Sequence, residues 1–303
     1  MRILVTGITG YVGSRLVPRL LRDGHEVRGC SRAGGSSEPG VPVYRADAVS
    51  GAGLARALEG IEVAYFLIHS MEGGQEGPFG ARERAAAENF ARAAQTAGVA
   101  RVVYLGGLKP EGELSAHLAS RLAVEHVLLG VAPCAIAFRA SIVIGASSRP
   151  FRFLVRLVER LPVLALPAWR THRTCPIDER DVIELLARAA TRDGLCGQSL
   201  DIAGPETVSY GELIDRIRHH MLLGRPTIGF DRLNLTPIAS RIAASIADEE
   251  HALIGPLMES LAHDLLPRED HGAASLGVRR HSLDAAIEHS LREWESTEAL
   301  AAR

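Results

Sequence analysis

A chain of 303 residues with 47% hydrophobic and 23% charged side chains has the composition of an ordinary globular protein, and is long enough to bury about three quarters of its unfolded surface. Its 34 basic and 36 acidic residues leave a formal net charge of −2, which argues against a nucleic-acid binder, since those depend on phosphate neutralisation. No apolar run approaches the ~18–20 residues of a membrane span, and no secretory pattern is read at the amino terminus. Cys30, Cys134, Cys175 and Cys196 form no CxxC pair, so the sequence predicts neither a disulfide nor a zinc site, and a reducing cytoplasm.

In chain order, residues 2–6 predict a buried strand and 11–23 a helix with Val12, Leu16, Leu20 and Leu21 on its inner face. Strands are predicted at 25–30, 41–46, 61–68, 100–107 and 133–139, with helices at about 50–59, 80–98 and 114–129. Strands that are apolar almost throughout, alternating with helices, predict a doubly wound parallel α/β sheet. Beyond residue 145 the rhythm changes. Helices are predicted at about 151–160, 178–190, 208–221, 235–266 and 282–296, with one strand at QSLDIAG. The prolines of LPVLALPAW predict broken structure there, and Ser209 with Glu212 a capping box. The chain therefore divides into a Rossmann domain at 1–147 and a smaller, mostly helical cap at 148–303, some of whose elements return to the sheet.

Thr6-Gly7-Ile8-Thr9-Gly10-Tyr11-Val12-Gly13 follows the first strand and opens the first helix. Gly7 permits a tight turn, Gly10 lets backbone approach a pyrophosphate, and Gly13 packs helix on strand. Thr6, Gly7, Thr9, Gly10, Tyr11, Val12 and Gly13 are therefore candidate dinucleotide-binding residues. The second strand ends Cys30-Ser31-Arg32, without the acid that binds the ribose of NAD. Ser31 and Arg32, with Arg15 two residues past the last glycine, would suit a 2′-phosphate, so NADP(H) is favoured over NAD(H). Asp47 follows the third strand, where it meets an adenine amino group or caps the next helix. Leu67, Ile68 and His69 close the fourth strand, at the carboxyl edge where ligands bind.

The glycine turn, RADA at 45–48, FLIHSM at 66–71, the run at 82–108, LSAHLASRLAVEHVL at 114–128, FRASIVIG, PIDERDV and DIAGPETVSYGELI resemble the extended and atypical short-chain dehydrogenase/reductases. The NmrA-like and complex I accessory-subunit-like NAD(P)-binding proteins are the most similar group. The resemblance implies a Rossmann fold and a Tyr-x-x-x-Lys pair, in which tyrosine passes a proton while the cofactor passes hydride.

That pair is missing. Lys109 is the chain's single lysine and stands five residues after Tyr104, inside a predicted strand. The corresponding helix carries His117 and Arg121, which share a face at i and i+4. Arg121 would bind ribose hydroxyls in place of lysine but holds its proton too tightly to relay it. His117 and His69 are the candidate acid–base groups, since imidazole titrates near neutrality. Ser70 would donate from its hydroxyl. Arg139 either binds an anionic substrate or pairs with a buried acid. The expected function is NADPH-dependent reduction of a small, fairly apolar carbonyl, enone or quinone. A non-catalytic NADP(H)-binding sensor or scaffold, and an epimerase or dehydratase with transient hydride transfer, stay open. A small-molecule substrate is expected, with no nucleic acid, metal or membrane span, and homodimerisation is left open.

Overall fold

The structure is a computed structural model and describes residues 1–35, 38–68, 79–112, 114–229, 261, 263–268, 272–298 and 300. Strands β1 (Arg2–Thr6), β2 (Glu26–Ser31), β3 (Val43–Arg45), β4 (Val63–Phe66), β5 (Arg101–Gly107) and β6 (Cys134–Ala140) alternate with helices α1 (Tyr11–Arg22), α2 (Leu54–Leu58), α3 (Phe79–Thr96) and α4 (Ala116–Leu129). Then follow β7 (Val143–Ile144), α5 (Arg149–Arg160), β8 (Leu164–Leu166), a 3-10 turn (Ala168–Thr171), β9 (Arg173–Thr174) and β10 (Ile177–Asp178). The order continues with α6 (Glu179–Ala189), β11 (Gln198–Ile202), β12 (Val208–Ser209), α7 (Tyr210–His220) and β13 (Thr227–Gly229). Two more helices, α8 (Gly272–Ser275) and α9 (Leu283–Thr297), complete the described elements.

Seven strands form one parallel sheet in the order β11-β6-β5-β4-β1-β2-β3. The chain runs outward from β1 to β3 and returns on the other side at β4. A crevice therefore opens at the carboxyl ends of β1 and β4, where the strand order reverses. Both faces are covered. Ile3 and Val5 of β1 pack against Leu16, Val17 and Leu20 of α1 and Val182, Leu185 and Leu186 of α6. Leu4, pointing the other way by strand alternation, joins Ala87 and Phe90 of α3 and Val124 and Leu128 of α4. Each such fully buried side chain contributes roughly 1.5–3 kcal/mol relative to exposure.

A third apolar cluster joins α5, α7 and α9 through Phe151, Leu154, Tyr210, Leu213 and Trp294. Trp169 packs edge-on against Tyr210, with ring centroids 6.3 Å apart, and so belongs to this core rather than to a ligand pocket. Ser209 accepts from the Glu212 backbone N–H at 3.1 Å, which starts α7 at the predicted cap. One expectation fails in this half. The prolines at 162 and 167 flank a short strand, β8, which pairs in parallel with β13 because neither proline occupies a paired position. Most of the helix predicted at 235–266 lies outside the described residues; within its end, Leu265 forms a bridge to Thr174.

The cysteine expectation is also overturned: Cys134 and Cys196 form a disulfide. Its cause is register. Ile136 of β6 lies opposite Gln198 of β11, so the residues two positions earlier also meet, with Cα atoms 4.4 Å apart. Spacing along the chain, 62 residues, could not show this. The cysteine argument for a reducing compartment therefore lapses. Cys30 and Cys175 are buried and outside any disulfide.

Thiol counting on the denatured, unreduced protein should find two reactive thiols. Cys196→Ser should lower stability by roughly 2–4 kcal/mol, the usual scale for a loop of this size, read by urea unfolding. Four thiols without reductant would contradict the pairing.

Candidate active site

A cavity of about 680 Å³ follows the carboxyl edge of the sheet, within the range of small-ligand sites. The glycine turn forms its floor. Gly7 has φ +65°, and a side chain there would come within 2.9 Å of the Leu67 carbonyl oxygen. A Cβ on Gly13 would overlap the Gly7 carbonyl, so α1 can sit this close to β1 only with glycine at that position. Gly10 caps α1 without any side-chain bond, which leaves the first backbone N–H groups of the helix and its positive dipole end for an anion.

The cavity wall includes Gly7, Thr9, Gly10, Tyr11, Val12, Gly13, Arg15, Ser31, Arg32, Asp47, Leu67, Ile68, His117 and Arg121. Of the residues singled out from the sequence, this wall lacks Thr6 and Arg139, while His69 and Ser70 lie outside the described residues. Thr6 is buried below the floor, donating to the Tyr65 carbonyl at 2.9 Å and accepting from Leu67 N–H at 3.0 Å; it locks β1 to β4. The Ser31 hydroxyl is buried in the wall with no hydrogen-bond partner among the described residues. A buried hydroxyl costs free energy until bonded. The uncapped helix end, the glycine floor and this hydroxyl together fit a nicotinamide dinucleotide.

Several individual roles change. Arg15 cannot pair with Arg32 around a phosphate. Its guanidinium lies 3.0 Å from Glu179 and 2.5 Å from Glu293 and covers the Tyr11 ring at 4.8 Å. The Tyr11 hydroxyl donates to the same Glu179 carboxylate. Burial, then the Glu179 charge, holds the Tyr11 hydroxyl well above its ordinary pKa. His289 approaches Glu179 and Glu293 as a metal ligand would, but Arg15 already compensates both carboxylates. Both oxygens of Asp47 are engaged in its own turn, accepting from Val49 N–H at 3.1 Å and Ser50 Oγ at 2.8 Å. Arg139 pairs with buried Glu125, Nη2 to Oε1 being 2.5 Å. Tyr104 is buried and donates to the Arg121 backbone carbonyl at 3.1 Å, so its spacing to Lys109 carries no catalytic meaning.

His117 and Arg121 line the cavity on α4, as the helix period requires. Burial, reinforced by the Arg121 charge, pushes the His117 imidazole down to about 4. The expectation that it titrates near neutrality is therefore corrected: it is neutral at pH 7, an N–H donor rather than a stored proton. Gly106 and Gly107 stand at the wall without a hydroxyl. Sequence reading missed Ser141, Ile142, Val143, Ser147, Ser148, Arg149 and Pro150, which form the opposite wall, and Arg82 from α3. The rule that parallel strands present their carboxyl ends to ligand, applied to β6, would have found the first of these.

The fold is a Rossmann-type parallel α/β sheet with a cleft at its carboxyl edge. Residues 7–128 match the family described as NAD(P)H-binding. It is 34% identical over 113 residues to a 3-beta-hydroxysteroid dehydrogenase of Mycolicibacterium neoaurum, a match covering 34% of this chain and 31% of that relative. The chain thus matches about a third of that relative's length. It superposes on the UDP-glucose 4-epimerase of Thermotoga maritima with a TM-score of 0.75 at 13% identity, covering 98% of this chain and 99% of the other. An NAD-dependent NDP-hexosamine 5,6-dehydratase involved in tunicamycin biosynthesis gives 0.72 at 17% identity, with all of both chains covered (100% and 100%). Among the described residues no helix is long and apolar enough to cross a membrane.

The His117 resonance should titrate with a midpoint near 4 by NMR. Its folded value lies below the ordinary histidine value of about 6.5, so the unfolded chain binds the extra proton between those limits. Stability contributed by neutral His117 is full above about 6.5 and falls as the pH drops towards 4. His117→Gln should flatten that part of the stability profile in urea unfolding; an unchanged slope would refute the burial.

Proposed function

We propose that the protein is an NADP(H)-dependent oxidoreductase acting on a small, fairly apolar carbonyl, enone or quinone-like substrate. The observation that carries this reading is the single cavity wall shared by the glycine floor, Ser31 and Arg32 at one end and His117 and Arg121 at the other. A nicotinamide dinucleotide held in this cavity would supply hydride. Arg32, at the end of β2, pairs with the 2′-phosphate, and the Ser31 hydroxyl bonds the same group. Arg121 binds ribose hydroxyls in the place the resemblance gives to lysine. Neutral His117 donates its N–H to the substrate oxygen, stabilising the charge that develops there, and water delivers the proton. Ile142, Val143 and Pro150 supply an apolar wall for the substrate. The matched relative's name, a hydroxysteroid dehydrogenase, supports an alcohol–carbonyl pair at the reacting carbon. The division into a dinucleotide domain and a cap near residue 147 belongs to this reading, supported by the separate apolar cluster of α5, α7 and α9.

In a fluorescence titration NADPH should bind more tightly than NADH. Arg32→Ala should cost NADPH about tenfold or more, the scale of a charge-assisted hydrogen bond, and leave NADH nearly unchanged. With a panel of quinones, enones and ketones, consumption of NADPH should be measurable, and His117→Ala should slow it by roughly 10²-fold. Tight NADPH binding with no turnover on any of them would replace the enzyme reading with that of a binding sensor.

A further inference from the structure

Glu83 lies in the first turns of α3, 3% exposed, behind the cavity wall. Its Oε2 accepts from Ser120 Oγ at 2.6 Å. Its Oε1 accepts no hydrogen bond among the described residues and stands 3.9 Å from Arg121 Nη1. An ionised carboxylate in such a place needs a compensating charge, and the cation facing it is Arg121. That guanidinium also donates to the Leu105 carbonyl and lies over the Tyr104 ring at 5.0 Å. It is thus held by a carboxylate from α3, a carbonyl from β5 and an aromatic face, while forming part of the cavity wall beside His117. A guanidinium is a rigid fork of donors, so fixing one side of it sets the direction in which the other N–H groups point.

We propose that Glu83 is a positioning residue of the cleft: held by Ser120, its carboxylate fixes the Arg121 guanidinium against the Leu105 carbonyl, in the orientation that meets bound cofactor. The proposal rests on the reading of Arg121 as a cofactor-binding residue. Nothing in the sequence marks Glu83, because it acts across two helices and never faces the ligand. It accounts for a buried acid on an otherwise alanine-rich helix face that packs against α4.

The test is a double-mutant cycle on NADPH affinity by fluorescence titration, with Glu83→Gln, Arg121→Ala and the double variant. Gln keeps the bond from Ser120 and removes the charge. Arg121→Ala should weaken binding about tenfold and Glu83→Gln by about three- to tenfold, with the double variant no weaker than Arg121→Ala alone, as expected for residues acting through one another. In Glu83→Gln the His117 imidazole nitrogen resonances should also shift at fixed pH, a change that general loosening of α3 would not produce in a protein of unaltered unfolding midpoint. If Glu83→Gln binds as the parent does while Arg121→Ala is weakened, or if the two losses multiply, the proposal is overturned and Arg121 keeps its role. If Arg121→Ala leaves affinity unchanged, the cofactor reading of Arg121 fails instead, and the proposal with it. Should Glu83→Gln not fold, Ser120→Ala, which removes the hydroxyl that orients the carboxylate, carries the same cycle; unchanged affinity there overturns the proposal.

Discussion

Parallel pairing sends the carboxyl ends of β1, β2, β4, β5 and β6 to one edge of the sheet, and almost everything that can touch a ligand is attached to that edge. The turn after β1 supplies backbone N–H groups, the end of β2 supplies Ser31 and Arg32, and the residues after β6 supply the far wall. None of these segments is close to another in sequence. They meet because hydrogen-bond register fixes where each strand stops, and because Gly13 lets α1 lie against the Gly7 carbonyl. The Thr6 hydroxyl, bonded on both sides within the β1–β4 seam, stiffens the point where the strand order reverses.

The electrostatics of the cleft follow from a second constraint, the near absence of lysine. Arginine carries almost all the positive charge, and its fork suits fixed, multiply bonded positions better than proton relay. Arg15 and Arg139 each satisfy buried carboxylates, and Arg121 is held at the wall by three groups from α3 and β5. A permanently charged neighbour and a buried setting both disfavour the imidazolium form of His117. The site is therefore furnished with donors of fixed direction.

How much of this was legible in the sequence depends on the range of the interaction. The glycine turn, the apolar strands and the i, i+4 placement of His117 and Arg121 are local patterns, and they appear where periodicity puts them. The Ser209 cap is equally local. What could not be read is decided by partners far along the chain. Arg15 looks like a phosphate ligand until Glu179 and Glu293, from α6 and α9, are packed against it. His117 looks titratable until burial is known. Asp47 had two readings in the sequence, and its bonds to Val49 and Ser50 show the turn-forming one. The disulfide is the same lesson in covalent form, since two cysteines are brought together by the pairing of β6 with β11.

That disulfide gives the chain an unusual connectivity. It joins residues 134 and 196, so β6, α5 and α6 lie inside a covalent ring, and with them the wall from Ala140 to Pro150 that faces the dinucleotide floor. A backbone break anywhere in this ring leaves a nicked molecule of full mass, its two pieces still tied at the sheet edge. This part of the cavity wall can thus be cut without being shed, whereas a cut in the loops before β6 has no such tether.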